Sequence, residues 1–169
     1  MQKRGYSLER FERELIDLLP RLRRFARSLT KDAVTADDLC QIALEKALKR
    51  RSDRREDGRL DSWLFTITRN SWLDEIRSRR RWSDNFEADD GIEEIEAAGP
   101  GPEGEVLTGL SLQKAMDLLP LVQREAVALA WVEGLSYREA SDVLKIPIGT
   151  LTSRLARARQ RLLNCLEEV

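Results

Sequence analysis

LSYREASDVLKIPIGTLTSRLARARQRL, residues 135–162, is the stretch whose reading decides the fold. It begins S-Y-R-E, so Ser136 and Glu139 have the spacing of a capping box, in which each side chain satisfies a free amide of the other's turn. Ala140, Val143 and Leu144 then fall on one face of a short helix. Pro147 cannot continue a helix interior, and Lys145 and Ile146 before it read as the turn. A second helix is predicted to start near Gly149. Leu151, Leu155, Ala158 and Leu162 recur at offsets of four, three and four, the spacing of one buried stripe. The opposite face carries Thr152, Ser153, Ala156, Arg157 and Gln160, small or polar groups with a single arginine, so this surface can approach base edges closely. Arg154, Arg159 and Arg161 flank it within reach of phosphates. A solvated amphipathic helix in an ordinary bundle is the plain alternative. A capped first helix, a short turn and a small-residue face together specify a helix-turn-helix instead.

Composition supports a helical chain around that motif. Of 169 residues, 35% are charged and only 14 are Gly or Pro, which favours helices over strands and tight turns. The length allows one medium domain or two small ones. No apolar run reaches membrane-spanning length, and the N-terminus lacks a signal-peptide core, so a cytoplasmic protein with no membrane span is expected. Cys40 and Cys165 are far apart and have no metal-like spacing; both are expected reduced. The absence of His removes the commonest general base and metal ligand, and no catalytic, metal or cofactor site is expected.

The net charge of −1 conceals an asymmetry. Residues 1–85 hold 21 basic and 15 acidic groups, a net of +6. Residues 86–110 hold no basic and 8 acidic groups, a net of −8. Residues 111–169 hold 8 basic and 7 acidic groups, a net of +1. Two neutral-to-basic segments thus flank an acidic one, a distribution that permits nucleic-acid binding where the total would argue against it.

Upstream, residues 1–8 read as a frayed start. Phe11, Leu15, Leu18 and Leu19 describe a helix face that Leu22, Phe25, Ala26 and Leu29 continue, with Pro20 kinking it at most. A polar break at 30–35 precedes a helix opening at Thr35-Ala36-Asp37-Asp38, acids in its first turn. Leu39, Ile42, Ala43, Ala47 and Leu48 point inward. Asp38, Gln41 and Glu45 share another face, which is either available to a partner or ordinary surface polarity. After a polar loop at 49–59, a long helix runs from Leu60 to about Arg81. Trp63, Leu64, Ile67, Leu73 and Ile76 face a core, with Phe65 and Trp72 at the sides. Asn70, Asp74, Arg77 and Arg81 share one face, and Arg79 and Arg80 enlarge its basic end. Aromatic groups beside a basic helix suit single-stranded DNA, where bases stack and phosphates meet arginine; a merely solubilising run is the alternative. Residues 83–110, rich in acids, Gly and Pro, read as a flexible linker. From about Ser111, Leu112, Ala115, Met116 and Leu119 form a stripe closed by Pro120. Val122, Ala126, Leu129 and Ala130 form another, closed by Gly134. Domains this small bury little core.

With these residues in place, the chain from Phe11 to Leu166 resembles the extracytoplasmic-function (ECF) group of bacterial RNA polymerase sigma factors. Ala36 to Gln41, A-D-D-L-C-Q, looks like the family's A-E-D-L-V-Q. Ser62 to Arg77 is similar to W-L-x-x-I-A-R-N-x-x-x-D-x-x-R, with Thr68 in place of the usual Ala. Leu119 to Glu125, L-P-L-V-Q-R-E, is followed by G-L-S-Y-R-E-A and I-P-I-G-T-L-T-S-R-L-A-R-A-R. The resemblance implies that Asp38 and Gln41, with Glu45, lie on the surface docking on core polymerase. It implies that Asn70, Asp74, Arg77, Arg80 and Arg81, with Trp63, lie near the minus-ten element. It implies that Thr152, Ser153, Ala156 and Arg157, with Thr150 and Arg154, face the minus-thirty-five element. The acidic linker would enter the polymerase's RNA channel. Thr152 stands where relatives often carry Lys or Arg, Ala156 where they carry something larger, and Lys145 where Gly is common. Residues 23–30, R-R-F-A-R-S-L-T, look like the subgroup governing general stress in alphaproteobacteria.

The expectation is an all-α protein with two small helical domains, at 1–85 and 111–169, joined by an acidic linker at 86–110. It would bind RNA polymerase core enzyme and promoter DNA, answer to an anti-sigma factor, and perform no chemistry. The alternative is a sigma-like mimic that sequesters an anti-sigma factor; such a mimic would lack the DNA-facing Arg77, Arg81, Arg154 and Arg157.

Overall fold

The computed structural model describes residues 8–55, 57–83 and 112–167. Every regular element among them is helical: α1 (Leu8–Thr30), α2 (Ala33–Lys49), a 3₁₀ turn (Arg51–Asp53), α3 (Leu60–Ser83), α4 (Leu112–Asp117), α5 (Leu121–Val127), a π-helical turn (Ala128–Val132), α6 (Tyr137–Leu144) and α7 (Ile148–Glu167). The chain forms two compact units, Met1–Asp74 and Glu75–Val169, the division falling inside α3. The expected frayed start and acidic linker lie outside the described residues.

In the first unit, α1 buries Phe11, Leu15, Leu22, Phe25, Ala26 and Leu29. Pro20 sits on its exposed side, where the missing amide is least costly, and the helix runs through it. Lys31 in a left-handed conformation (φ 61°) ends α1. The next helix then opens earlier than expected. Asp32, not Thr35, is the N-cap, and its carboxylate accepts from both the Thr35 amide and hydroxyl at 2.7 Å. Thr35 is the third residue of that turn, so Asp37 and Asp38 fall beyond the first turn.

Helix α2 buries Ala36, Leu39, Cys40, Ala43 and Ala47. Four of these are small, so α2 can lie close against α1. Ile42 and Leu48, expected inward, are each 41% exposed, because a stripe this narrow turns positions 42 and 48 toward water. Two further corrections concern α3: Phe65 and Trp72, expected at the sides, are buried, whereas Leu73 and Ile76 are only partly covered. The reason is that α3 has neighbours on two sides. Phe65 meets Phe25 of α1 edge-on at 5.0 Å, and Ser71 accepts from Lys46 of α2 at 3.0 Å. Thr68 and Ser71 are buried because their hydroxyls return to the carbonyls of Leu64 and Ile67.

In the second unit, Met116 and Leu119 of the first stripe are buried, and α5 follows Pro120. The π turn closes with the Glu133 amide on the Ala128 carbonyl at 2.8 Å, and Gly134 takes the left-handed φ of +71°. The Ser136–Glu139 capping box is present, with Ser136 N donating to Glu139 Oε2 at 2.8 Å and Glu139 N to Ser136 Oγ at 3.2 Å. Lys145 ends α6 in the left-handed region (φ 54°, ψ 44°). The final helix begins at Ile148, one residue before the expected start.

Candidate nucleic-acid interface and docking face

On α7, Leu151, Leu155 and Ala158 are buried while Thr152, Ser153, Ala156, Arg157 and Gln160 are exposed, with Thr150 half-buried at the first turn. The hydroxyls of Thr152 and Ser153 lie back on the Ile148 and Thr150 carbonyls at 2.9 and 3.0 Å, which keeps that surface low. A Cβ added at Gly149 would meet nothing within 4 Å and its φ is not positive, so the chain's own packing does not require glycine there. Arg157 is therefore the long cation rising from a shallow polar face, a geometry suited to a base edge in the major groove.

Arg154, expected among the residues facing the minus-thirty-five element, also has a partner within the protein. It is only partly exposed, and its Nη1 lies 3.3 Å from Oε1 of the buried Glu125 on α5. Beside it, Arg124 is among the largest fully buried side chains and donates from Nη1 to the Leu119 carbonyl at 2.8 Å. Burial drives the Arg124 pKa down to about 10, against the pull of Asp117 and Glu125. The pair lies on α5, which packs against α7, and its one trace in the sequence is the R-E dipeptide within Leu119 to Glu125.

On α3, Asn70 is half-buried and Asp74, Arg77, Arg80 and Arg81 are exposed along the helix. Arg79 pairs with Glu75 at 2.8 Å one turn back. Trp63 is half-buried, with its ring edge-on to Phe11 at 6.3 Å, so part of it packs within the unit and part stays exposed. At the start of α3 stands a hub that sequence reading missed. Asp61 is buried and accepts from Arg21 at 2.8 Å, from Arg59 at 2.6 Å and from the Ser62 amide at 2.8 Å. Burial alone would raise its pKa, but the bonds from Arg59 and Arg21 outweigh that and hold it at about 2. Arg21 also lies over the Phe65 ring at 5.4 Å. Only the acid's position just inside the helix start could have signalled it.

On α2, Asp38, Gln41 and Glu45 are all exposed, as a docking face requires. Their face also carries Val34 (71% exposed), Ile42 and Leu48. An exposed apolar row framed by acids is more specific to a protein partner than the polar residues alone.

Comparison with known proteins establishes the family. Residues 15–82 match the sigma-70 region 2 family and residues 109–162 the sigma-70 region 4 family. The ECF RNA polymerase sigma factor EcfG of Rhodopseudomonas palustris (strain TIE-1) is 36% identical over 149 residues, covering 88% of this chain and 81% of that protein. The ECF sigma factor SigM of Bacillus subtilis (strain 168) is 33% identical over 140 residues, covering 82% and 84%. The sigma factor RpoE of Bartonella quintana, solved with the anti-sigma factor NepR, superimposes with a TM-score of 0.76 at 36% identity, covering 95% of this chain and 98% of that one. The chain belongs to the ECF family of RNA polymerase sigma factors. Like its family it is a non-enzymatic initiation factor that binds RNA polymerase and promoter DNA; the polymerase performs the chemistry. Among the described residues no helix is long and apolar enough to cross a membrane.

Proposed function

We propose a division of labour among three helices. The α2 face, Asp38, Gln41 and Glu45 with Val34, Ile42 and Leu48, docks on core polymerase. The exposed side of α3, Asn70, Asp74, Arg77, Arg80 and Arg81, meets the melted minus-ten strand. Thr150, Thr152, Ser153, Ala156 and Arg157 of α7 read the minus-thirty-five duplex. The observation that carries this reading is the separation on α7 of a buried Leu151–Leu155–Ala158 stripe from a low polar surface crowned by Arg157. The domain division at 85 and 111 is supported by family matches that stop at 82 and resume at 109. The work is cytoplasmic, where polymerase and promoters are.

Control by an anti-sigma factor is part of the proposal. The relative solved with one is 36% identical, and apolar side chains standing in water on α2 suit a protein that covers them until release. The resemblance of residues 23–30 and the likeness to EcfG favour the general-stress subgroup. The test is transcription of a genomic library by core polymerase with and without this protein. The expected result is a discrete set of new start sites that Arg157→Ala weakens roughly tenfold or more, since a good base contact contributes about 1–3 kcal/mol. Unchanged output from every responsive promoter would remove α7 from base reading.

A further inference from the structure

We propose that Arg154 is a positioning residue rather than a DNA ligand: its pairing with Glu125 fixes the roll of α7, and so decides which side chains meet the bases. The inference rests on the reading of α7 as the duplex-facing helix. Three observations carry it. Glu125 is 2% and Arg154 20% exposed, so the pair is largely withdrawn from water, where a charge contact is poorly screened. The link spans 29 residues and joins α5 to α7 through their side chains. Arg154 lies at the edge of the buried stripe, between exposed Ser153 and buried Leu155.

The stripe itself supplies no directional contact that sets the roll. Leu151, Leu155 and Ala158 are smooth apolar groups, and Ala158 is small. A helix resting on such groups can rotate by a fraction of a residue at little cost in buried area. That rotation would swing Ser153 and Arg157 off their line and bring their neighbours closer to the bases. A charge-assisted bond at the margin resists it, because any roll stretches the pair and draws Arg154 away from the buried Glu125. Arg124, next to Glu125 on α5, is buried and donates to the Leu119 carbonyl, which steadies the helix that carries Glu125.

Two kinds of arginine give different signatures. A phosphate ligand adds affinity on all sequences and contributes about 0.9 to the slope of log K against log salt. A positioning residue leaves that slope alone and alters which sequences are preferred. The experiment uses the full chain assembled with core polymerase, and a duplex library randomised across the upstream promoter segment. Selection profiles and salt slopes are compared for wild type, Arg154→Met, Glu125→Gln and Arg157→Ala. The expected result is that Arg154→Met and Glu125→Gln flatten the profile in the same way. Discrimination should fall about tenfold, the scale of one mismatched base pair, with the slope unchanged.

A slope lowered by about 1 in Arg154→Met, with tighter binding to all sequences in Glu125→Gln, would make Arg154 a phosphate ligand and overturn the proposal. Uniform weakening with profile and slope both preserved would show a purely structural pair and also overturn it. If Arg157→Ala leaves the profile untouched, the reading of α7 has failed; if it changes the profile while Glu125→Gln does not, only the positioning role has failed. Should the Glu125 variant not fold, Arg154→Lys decides. A phosphate site tolerates lysine with an intact profile, whereas a planar, directed contact to Glu125 does not.

Discussion

Single residues show where this chain holds strain and charge. Lys145 occupies a left-handed conformation that favours glycine, on the exposed turn between α6 and α7. Lys145→Gly should raise the unfolding free energy by about 1 kcal/mol, read in denaturant melts, because the penalty for a Cβ there disappears. No gain would mean that another contact of Lys145 offsets the strain. Asp61 offers a second test. Its folded pKa of about 2 lies below the ordinary 3.8, so the stability it contributes is complete above about pH 4 and is lost as pH falls toward 2. Screening at the half-exposed Arg59 reduces the shift to roughly 1–2 kcal/mol. Asp61→Asn should therefore cost about that much at pH 7 and far less at pH 2.5, in parallel melts; an equal deficit at both values would remove the charge from the explanation. Cys40, by contrast, is inert by design of its surroundings: burial pushes its thiol up to about 11.

At the scale of elements, the helix-turn-helix was the most legible part of the sequence. Its capping box, turn and stripe are local signals, each fixed by residues within a few positions of one another. The capping of α2 was less legible, because Asp32 and Thr35 are both good N-caps and only the left-handed Lys31 before Asp32 decides between them. The inward face of α2 differs from expectation at Ile42 and Leu48, since hydrophobicity alone does not tell a core position from a solvent-facing one. That difference strengthens the functional case. Asp38→Ala with Gln41→Ala should reduce recovery of core polymerase several-fold in a pull-down, and adding Ile42→Asp should abolish it. Full recovery of the triple variant would take α2 out of the docking surface.

For the whole molecule, two small units carry few phosphate contacts each, so selectivity depends on polymerase holding both on one promoter. Residues 86–110 carry eight acids and no bases. Replacing those acids with Ser and Gln should leave core binding intact and lower productive initiation several-fold in abortive-transcript assays; normal initiation would make the charge incidental. The sequence by itself determined the helical class, the motif at 135–162 and the family, because capping, periodicity and charge blocks act over neighbouring residues. Only the tertiary structure decided that Phe65 and Trp72 are core, that Asp61 gathers Arg21 and Arg59, and that Arg154 turns to Glu125. The Glu125–Arg154 and Arg21–Asp61 pairings join residues 29 and 40 positions apart, and a one-dimensional pattern holds no record of which side chains the fold will bring together.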